Sequence, residues 1–348
     1  MSDTSSSAGK PLRCAVIGLG MGRNHANAFH TFPDAELVAV ADLDETRLAQ
    51  FADAVGKDGL YTDHKAMLAE ARPDLVAIAL PNFLHRPVTE EVLAAGCHAI
   101  CEKPMAMTVE EAEAMKAAAK QAGKQLGINF SQRFNGGHRA MEQLVAAGKL
   151  GDIYHAYTSW TRRDGFPGFG GWFGQKKMSG GGPLIDLGVH RIDRALSLMG
   201  YPTVASVYGT THKKIGVPRA QEQGKAFDVE DFATGCVRFT NGASLIFEVS
   251  WAGHRVGKEG QEMRIVGTEG ALEMGKDGAF YCHRDGDIFL ESSIDADRVP
   301  ALKSMETMVD CILNDRPFPA TPDHGIQVQR ILNGLYTSAE EKREVVYE

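Results

Sequence analysis

Arg13–Asp42 reads RCAVIGLGMGRNHANAFHTFPDAELVAVAD, and the order of residue types in it decides the first half of the fold. Arg13–Gly18 (RCAVIG) is a short apolar run ending in glycine, as a strand buried in a parallel sheet reads. Gly18, Gly20 and Gly22 follow, then a helical stretch over Asn24–Phe32, then a second apolar run, Leu37–Ala41, closed by Asp42. Strand, glycine turn, helix, strand and acid is the order of parts in a dinucleotide-binding βαβ unit. The glycines let the backbone turn tightly and approach a pyrophosphate, and the helix N-terminus offers it N–H groups and partial positive charge. Gly18, Gly20, Met21 and Gly22 are therefore the expected pyrophosphate contacts. Asp42 stands twenty residues beyond Gly22. A carboxylate there accepts hydrogen bonds from ribose hydroxyls and repels a 2′-phosphate, so NAD is expected ahead of NADP. The third glycine comes one position earlier than in GxGxxG, with Arg23 in the usual place. A glycine cluster alone also suits a plain turn; the flanking strands and Asp42 carry the dinucleotide reading.

The same rhythm continues. Leu75–Leu80 (LVAIAL) is a buried strand leading into Pro81–His85 (PNFLH), Val88–Ala95 reads as a helix, and Cys97–Cys101 as a short strand followed by Glu102–Lys103–Pro104. Thr108 with Glu111 makes a capping box for the next helix, and Gln125–Asn129 is a further strand. Gly20, Asp42, Asn82 and Lys103 all fall at carboxyl ends of strands, where open parallel sheets bind ligands.

The chain has 348 residues and a formal net charge of −8. That length suggests two domains. The acidic balance argues against a nucleic-acid partner, and no apolar run is long enough for a membrane helix. Residues 1–11 read as a flexible Ser-rich tail without the apolar core of a secretory signal. Six scattered cysteines fit reduced thiols in a cytoplasm rather than a disulfide framework. Cys97 and Cys101, around His98, read as a turn into a buried strand rather than as metal ligands.

After Phe134 the composition changes, placing a boundary between residues 12–129 and residues 130–348. Ile153–Thr161 alternates as a strand with two unlike faces, and Ala233–Phe239, Ala243–Ser250 and Met263–Val266 read as further strands, with a tight primed turn expected at Asn241–Gly242. This predicts an α/β unit followed by an α+β unit on a largely antiparallel sheet. Gly180–Leu198 brings three glycines before Pro183, then Asp186, His190 and Asp193 at i, i+4 and i+7, which a regular helix would place on one face. Trp160, Arg162, Arg163 and Trp172 precede this stretch. Aromatic faces suit sugar or cyclitol rings and cationic donors suit hydroxyls, while sheet packing and solvated arginines are the plainer alternative. Arg133 stands near the domain junction, within reach of cofactor or substrate. Lys213–Lys225 is polar and reads as a loop.

The segments GLGMGRNHA, PNFLH (Pro81–His85), CEKPMAMT (Cys101–Thr108), GGGPLIDLGVHRID (Gly180–Asp193), EDFATGCVRFTNG (Glu230–Gly242) and VGTEGALEM (Val266–Met274) together resemble the Gfo/Idh/MocA family, named for glucose–fructose oxidoreductase and inositol dehydrogenase. The resemblance spans nearly everything from Leu12 to Tyr347. It implies an N-terminal Rossmann domain that binds NAD. It also implies a second domain on a large open-faced sheet, which pairs with another subunit in a homodimer or homotetramer.

The resemblance further implies a catalytic trio of Lys103, Asp186 and His190. Oxidising an alcohol removes a hydride, which the nicotinamide takes, and a proton, which a base takes. His190 is expected as that base, Lys103 as the stabiliser of charge on the reacting oxygen, and Asp186 as the group that orients His190 or holds a neighbouring hydroxyl. A buried lysine can itself pass the proton, so that division stays open. Glu102 is expected to position Lys103 and the cofactor, with Pro81, Asn82 and His85 lining the cofactor site. The resemblance suggests a cis peptide before Pro104. The substrate class is a sugar, inositol or related polyol, contacted by Lys103, Arg133, Trp160, Arg162, Trp172, Asp186 and His190. Two rivals share the scaffold: cleavage of a glycosidic bond through transient oxidation by retained NAD, and a non-enzymatic dinucleotide sensor. Zinc on Asp186 and His190 would lack a third ligand, so no metal is expected.

Overall fold

The computed structural model describes residues 10–347. Most of the tail expected over residues 1–11 thus lies outside the described residues. Six parallel strands form the first sheet: β1 (Leu12–Ile17), β2 (Ala35–Ala41), β3 (Leu60–Tyr61), β4 (Leu75–Ile78), β5 (His98–Glu102) and β6 (Leu126–Asn129), in the order β3-β2-β1-β4-β5-β6. β4 and β6 are buried along their whole length, because helices cover both faces of a parallel sheet. Arg23–Thr31, His85–Ala94 and Val109–Ala122 are the principal covering helices. The order reverses between β1 and β4, and the loops after β1, β2, β4 and β5 open on one edge.

The early third glycine has a packing role. A Cβ at Gly18 (φ +88°) would run into the Ala79 carbonyl, and one at Gly22 would run into the Gly18 carbonyl and stand 2.9 Å from Val16. Gly22 therefore lets the helix pack tightly on β1 although it sits one position early. At Gly20 a Cβ would meet only the end of the Arg47 side chain, 3.9 Å away, so the loop is open there. The backbone fits a pyrophosphate laid against the N-terminus of Arg23–Thr31.

The second sheet has nine strands: β7 (Ile153–Arg162), β8 (Val204–His212), β9 (Phe232–Phe239), β10 (Ser244–Ser250), β11 (Glu259–Gly267), β12 (Gly270–Gly275), β13 (Gly278–Asp285), β14 (Ile288–Ser293) and β15 (Val345–Val346), in the order β14-β13-β12-β11-β7-β10-β9-β8-β15. Only β10 and β7 pair in parallel. The helices Val189–Met199 and Pro322–Glu341 cover one face. On the other, Tyr208 (49 % exposed) and Ile246 (41 % exposed) lie in one cross-strand row with Cys236 and Tyr157.

Two local expectations are corrected. The β9–β10 hairpin has Gly242 at φ +86°, whereas Asn241 is absent from the positive-φ residues, so the turn is not the primed two-residue type. Lys213–Lys225 is not a plain loop: Gly216–Glu222 is helical, because Asp231 Oδ2 accepts from the N–H groups of Ile215 (2.7 Å) and Gly216 (2.8 Å) at its start.

The chain then returns to the first sheet. Met305, Met308 and Val309 of the helix Ser304–Leu313 share a core with Leu12, Cys14, Leu75 and Ile100, and the Ile128 N–H of β6 donates to Ala320 O at 3.0 Å.

Candidate active site

Lys103 follows β5 directly, and its peptide bond to Pro104 is cis. Its ammonium crosses to the second unit, donating to Asp186 Oδ1 at 3.2 Å and to the Asp186 carbonyl oxygen at 3.1 Å. Asp186 lies on Leu184–Gly188, which winds as a wide π-type turn before the α-helix Val189–Met199. Such turns insert an extra residue and frequently mark functional sites. From Gly181 to Leu196 every residue is buried except Asp186 and His190, which stay partly exposed.

A buried acid hangs this turn in place. Glu230 accepts from the N–H groups of Gly182 (2.9 Å) and Leu184 (3.1 Å) and from the Tyr336 hydroxyl (2.8 Å). Burial raises its pKa in spite of these donors. Asp186 Oδ2 accepts from Trp251 Nε1 at 3.0 Å, so each carboxylate oxygen holds a different donor. Burial would raise the Asp186 carboxyl, but Lys103, the Trp251 N–H and His190 together bring it below its ordinary value. The His190 ring lies 6.3 Å from that of Trp160, and its Nδ1 is buried without a hydrogen-bond partner. Burial and then the Lys103 cation push its pKa down to about 3, against the pull of Asp186. His190 is therefore neutral over the ordinary pH range.

Glu102, at the end of β5, takes His25 Nε2 at 2.8 Å and Asn129 Nδ2 at 2.6 Å on Oε1, while Oε2 accepts the Lys103 N–H at 3.2 Å. Burial opposes its charge, but His25, Asn129 and Lys103 outweigh it and bring the carboxyl down to about 2. After β2, Asp42 accepts from the N–H groups of Leu19 (2.6 Å, Oδ2) and Asp44 (2.9 Å, Oδ1), with Arg47 Nη1 3.5 Å from Oδ2. Met21 is exposed in the glycine loop, and Pro81 caps the short turn Asn82–Leu84 that follows β4.

The cleft continues onto the second sheet. Trp160 and Arg162 on β7 face Gln261 and Glu259 on β11. Arg162 stacks over the Trp160 ring at 5.5 Å with Nε 3.7 Å from Glu259, and Trp160 Nε1 donates to Glu259 at 3.4 Å. Trp172 packs against Phe173 in the loop below, ring centres 4.8 Å apart.

Three expectations fail on geometry. Arg133 is buried away from the cleft: its fork donates to Asp193 at 2.9 and 2.5 Å and to Pro319 O at 3.0 Å, with the Tyr201 hydroxyl alongside. Asp193 is spent in that pair and does not share a face with Asp186, because the wide turn breaks the α-helical spacing. His85 is fully buried, its ring nitrogens 2.7 Å from Pro104 O and 2.9 Å from Leu80 O, so it braces the two loops and lines no cofactor site. Asn82 is buried too, with Nδ2 donating to Ser179 O at 2.6 Å, which ties the first unit to the second.

Residues 12–130 match the model of an oxidoreductase family with an NAD-binding Rossmann fold, and residues 138–273 match the model of that family's C-terminal domain. The D-glucoside 3-dehydrogenase of Escherichia coli (strain K12) is 34 % identical over 97 % of this chain and 97 % of its own length. The scyllo-inositol 2-dehydrogenase (NAD(+)) of Bacillus subtilis (strain 168) is 30 % identical over 76 % of this chain and 74 % of its own. Among solved structures, GenD2 from gentamicin A biosynthesis, in complex with NAD, superposes with a TM-score of 0.81 at 26 % identity, covering 100 % of this chain and 99 % of that one.

Proposed function

Because the chain belongs to the Gfo/Idh/MocA oxidoreductase family, with its NAD-binding domain over residues 12–130, we propose that it oxidises a ring hydroxyl of a neutral sugar, glycoside or cyclitol, or reduces the matching ketone. The observation that carries this reading is the Lys103–Asp186 contact across the two units, with His190 as the one other accessible residue from Gly181 to Leu196. The 34 % identity to a D-glucoside 3-dehydrogenase over nearly the whole chain supports a glycoside among the substrates.

Gly18, Gly20, Met21, Gly22, Asp42, Pro81, Glu102 and Lys103 hold the dinucleotide, which when bound supplies the hydride acceptor. Lys103 has three N–H donors; Asp186 engages its ammonium, and a free donor meets the reacting oxygen and stabilises negative charge there. His190, neutral before turnover, is free to take the hydroxyl proton. Asp186 keeps the ammonium aimed at the cleft. Trp160 offers its ring to an apolar sugar face, and Arg162 and Trp172 line the mouth. Glu259 beside Arg162 cancels its charge, which favours a neutral substrate over a sugar acid.

Residues 12–129 thus serve the cofactor and residues 130–348 the substrate, with Ser304–Leu313 folded back on the first sheet. The uncovered row through Tyr208 and Ile246 pairs with a second copy in a homodimer or homotetramer; sedimentation of a monomer at micromolar concentration would contradict that. The central test is NADH absorbance with NAD and a panel of cyclitols, aldoses, glycosides and anhydrosugars. A signal with one ring class that disappears in His190→Ala is expected. Release of an aglycone without net NADH, or silence in both directions with NAD bound, overturns the reading.

A further inference from the structure

Among the described residues Trp251 is the largest fully buried side chain, and it ends in a polar contact with Asp186. Its backbone is pinned on both sides: its N–H donates to Asp231 O at 3.0 Å, and its carbonyl accepts from the Gly165 N–H at 2.7 Å. Phe166, Phe173 and Phe227 enclose the indole, with ring centres 6.2, 5.9 and 6.3 Å away. The ring therefore has one orientation, and that orientation aims Nε1 at Asp186 Oδ2, 3.0 Å away.

We propose that Trp251 is a positioning residue for the hydride-transfer site, holding the Asp186 carboxylate so that its second oxygen alone engages Lys103. The inference rests on the catalytic reading of Lys103 and Asp186 given above. Asp186 sits on a π-type turn, whose wide winding supplies no α-helical neighbour to fix its side chain. Without the indole N–H, Oδ2 is left in a buried pocket with no donor, and the nearest donor is the Lys103 ammonium. The carboxylate then turns to present both oxygens to Lys103, drawing the ammonium off the reacting oxygen. The loop carrying Phe166, Phe169, Trp172 and Phe173 builds the wall of the indole's seat, so the substrate mouth and the carboxylate share one support.

The test is Trp251→Phe, which keeps an aromatic ring and removes the N–H. With a sugar that the wild-type protein oxidises, kcat falls about tenfold, KM for NAD stays within about twofold, and the acid limb of the kcat/KM profile moves up by about one pH unit, because a carboxylate that loses a donor is easier to protonate. The loss is absent when Trp251→Phe is added to Asp186→Asn, since both act through one group. A side chain that merely fills space would give additive losses and an unmoved profile, and either result overturns the proposal. If Trp251→Phe misfolds, benzothienylalanine placed at position 251 keeps the fused ring and replaces N–H by sulfur, with the same outcomes. An activity-free reading comes from the indole N–H resonances of the three tryptophans. The one that disappears in Trp251→Phe shifts in Asp186→Asn, and a stationary resonance refutes the contact. A wild-type protein that gives no NADH with any sugar tested overturns the catalytic reading and this proposal together, whereas failure of the variant alone overturns only the role of Trp251.

Discussion

Replacing Arg133 by methionine separates two roles that the sequence could not distinguish. Arg133 donates to both oxygens of Asp193, and the two side chains are 8 % and 1 % exposed. Methionine fills most of the space of the arginine stem but leaves Asp193 with the Tyr201 hydroxyl at 2.6 Å as its remaining donor. Breaking a buried ion pair on one side costs about 3–5 kcal/mol, because the surviving charge is uncompensated. The unfolding entropy of a protein of 348 residues is about 0.7 kcal/mol per kelvin, so Tm falls by about 4–7 °C. Arg133→Met/Asp193→Leu, which removes both charges, recovers most of that loss. Scanning calorimetry gives the Tm values, and sugar-dependent NADH formation gives KM. The expected pattern is a large stability loss with KM for the sugar within about twofold of wild type. A variant of unchanged Tm whose KM rises tenfold or more would return Arg133 to the substrate site and refute the placement argued above.

Lys103→Met removes the donor to the reacting oxygen, so kcat falls by about a hundredfold or more while NAD still binds; near wild-type turnover would end the oxygen-stabilising role. Asp42→Ala removes the carboxylate next to Arg47, so the NAD-to-NADP ratio of kcat/KM falls by about tenfold or more, and an unchanged ratio contradicts the assignment of Asp42. Glu259→Gln exposes the charge of Arg162, raising activity on a hexuronate relative to the parent sugar; equal change on both would show that the pair lies outside the substrate mouth. Burial holds the buried histidines His85 and His138 and the cleft-facing His190 below the ordinary imidazole pKa. Their folded-state values are lowered, so the unfolded chain takes up protons first, and stability present above about pH 6.5 is lost as the pH falls below it. His190, with its folded value of about 3, contributes about 1 kcal/mol of that loss by pH 5.5. A urea midpoint that does not move between pH 7.5 and pH 5.5 would refute the sign.

The first sheet was legible because its strands are buried on both faces and so stand out as unbroken apolar runs, from RCAVIG to LVAIAL. Of the proposed site, local order marked Glu102–Lys103–Pro104 and the spacing of Asp186 and His190, and the structure brings Lys103 to Asp186 at 3.2 Å. What failed is non-local. Arg133 and Asp193 pair across sixty positions, and nothing near either residue says so. His85 follows PNFL, where a ligand contact is expected, but its ring meets carbonyls of two loops. Asp193 was misplaced because a π-type turn has no sequence signature that distinguishes it from an α-helix. Trp251 stands just past the strand expected over Ala243–Ser250, and an indole in the core needs an acceptor. Glu230 and Asp231 were the available clue to the hidden supports: two adjacent acids opening an apolar strand are costly unless donors await them, and backbone N–H groups of Gly182, Leu184, Ile215 and Gly216 do.

The Lys103–Asp186 spacing is set by elements remote from it in sequence. Lys103 belongs to the first sheet and Asp186 to the second unit, so their 3.2 Å contact depends on how rigidly the two are joined. Local ties join them near the site, through Asn82 to Ser179 O and through Asn333 Nδ2 to Met107 O at 3.2 Å. Larger ones come from the chain's return: Phe318 stands against Gly127, and Gly325 lets the helix Pro322–Glu341 approach Met105, where a Cβ would lie 2.6 Å from the sulfur. Met105 is two residues from Lys103, and Tyr336 of that same helix donates to Glu230, which hangs the turn that carries Asp186. One helix thus touches the supports of both partners in the Lys103–Asp186 pair. That shared support explains how an ammonium on one unit and a carboxylate on another keep hydrogen-bond distance, and why the C-terminal third of the chain is part of the geometry of the proposed site.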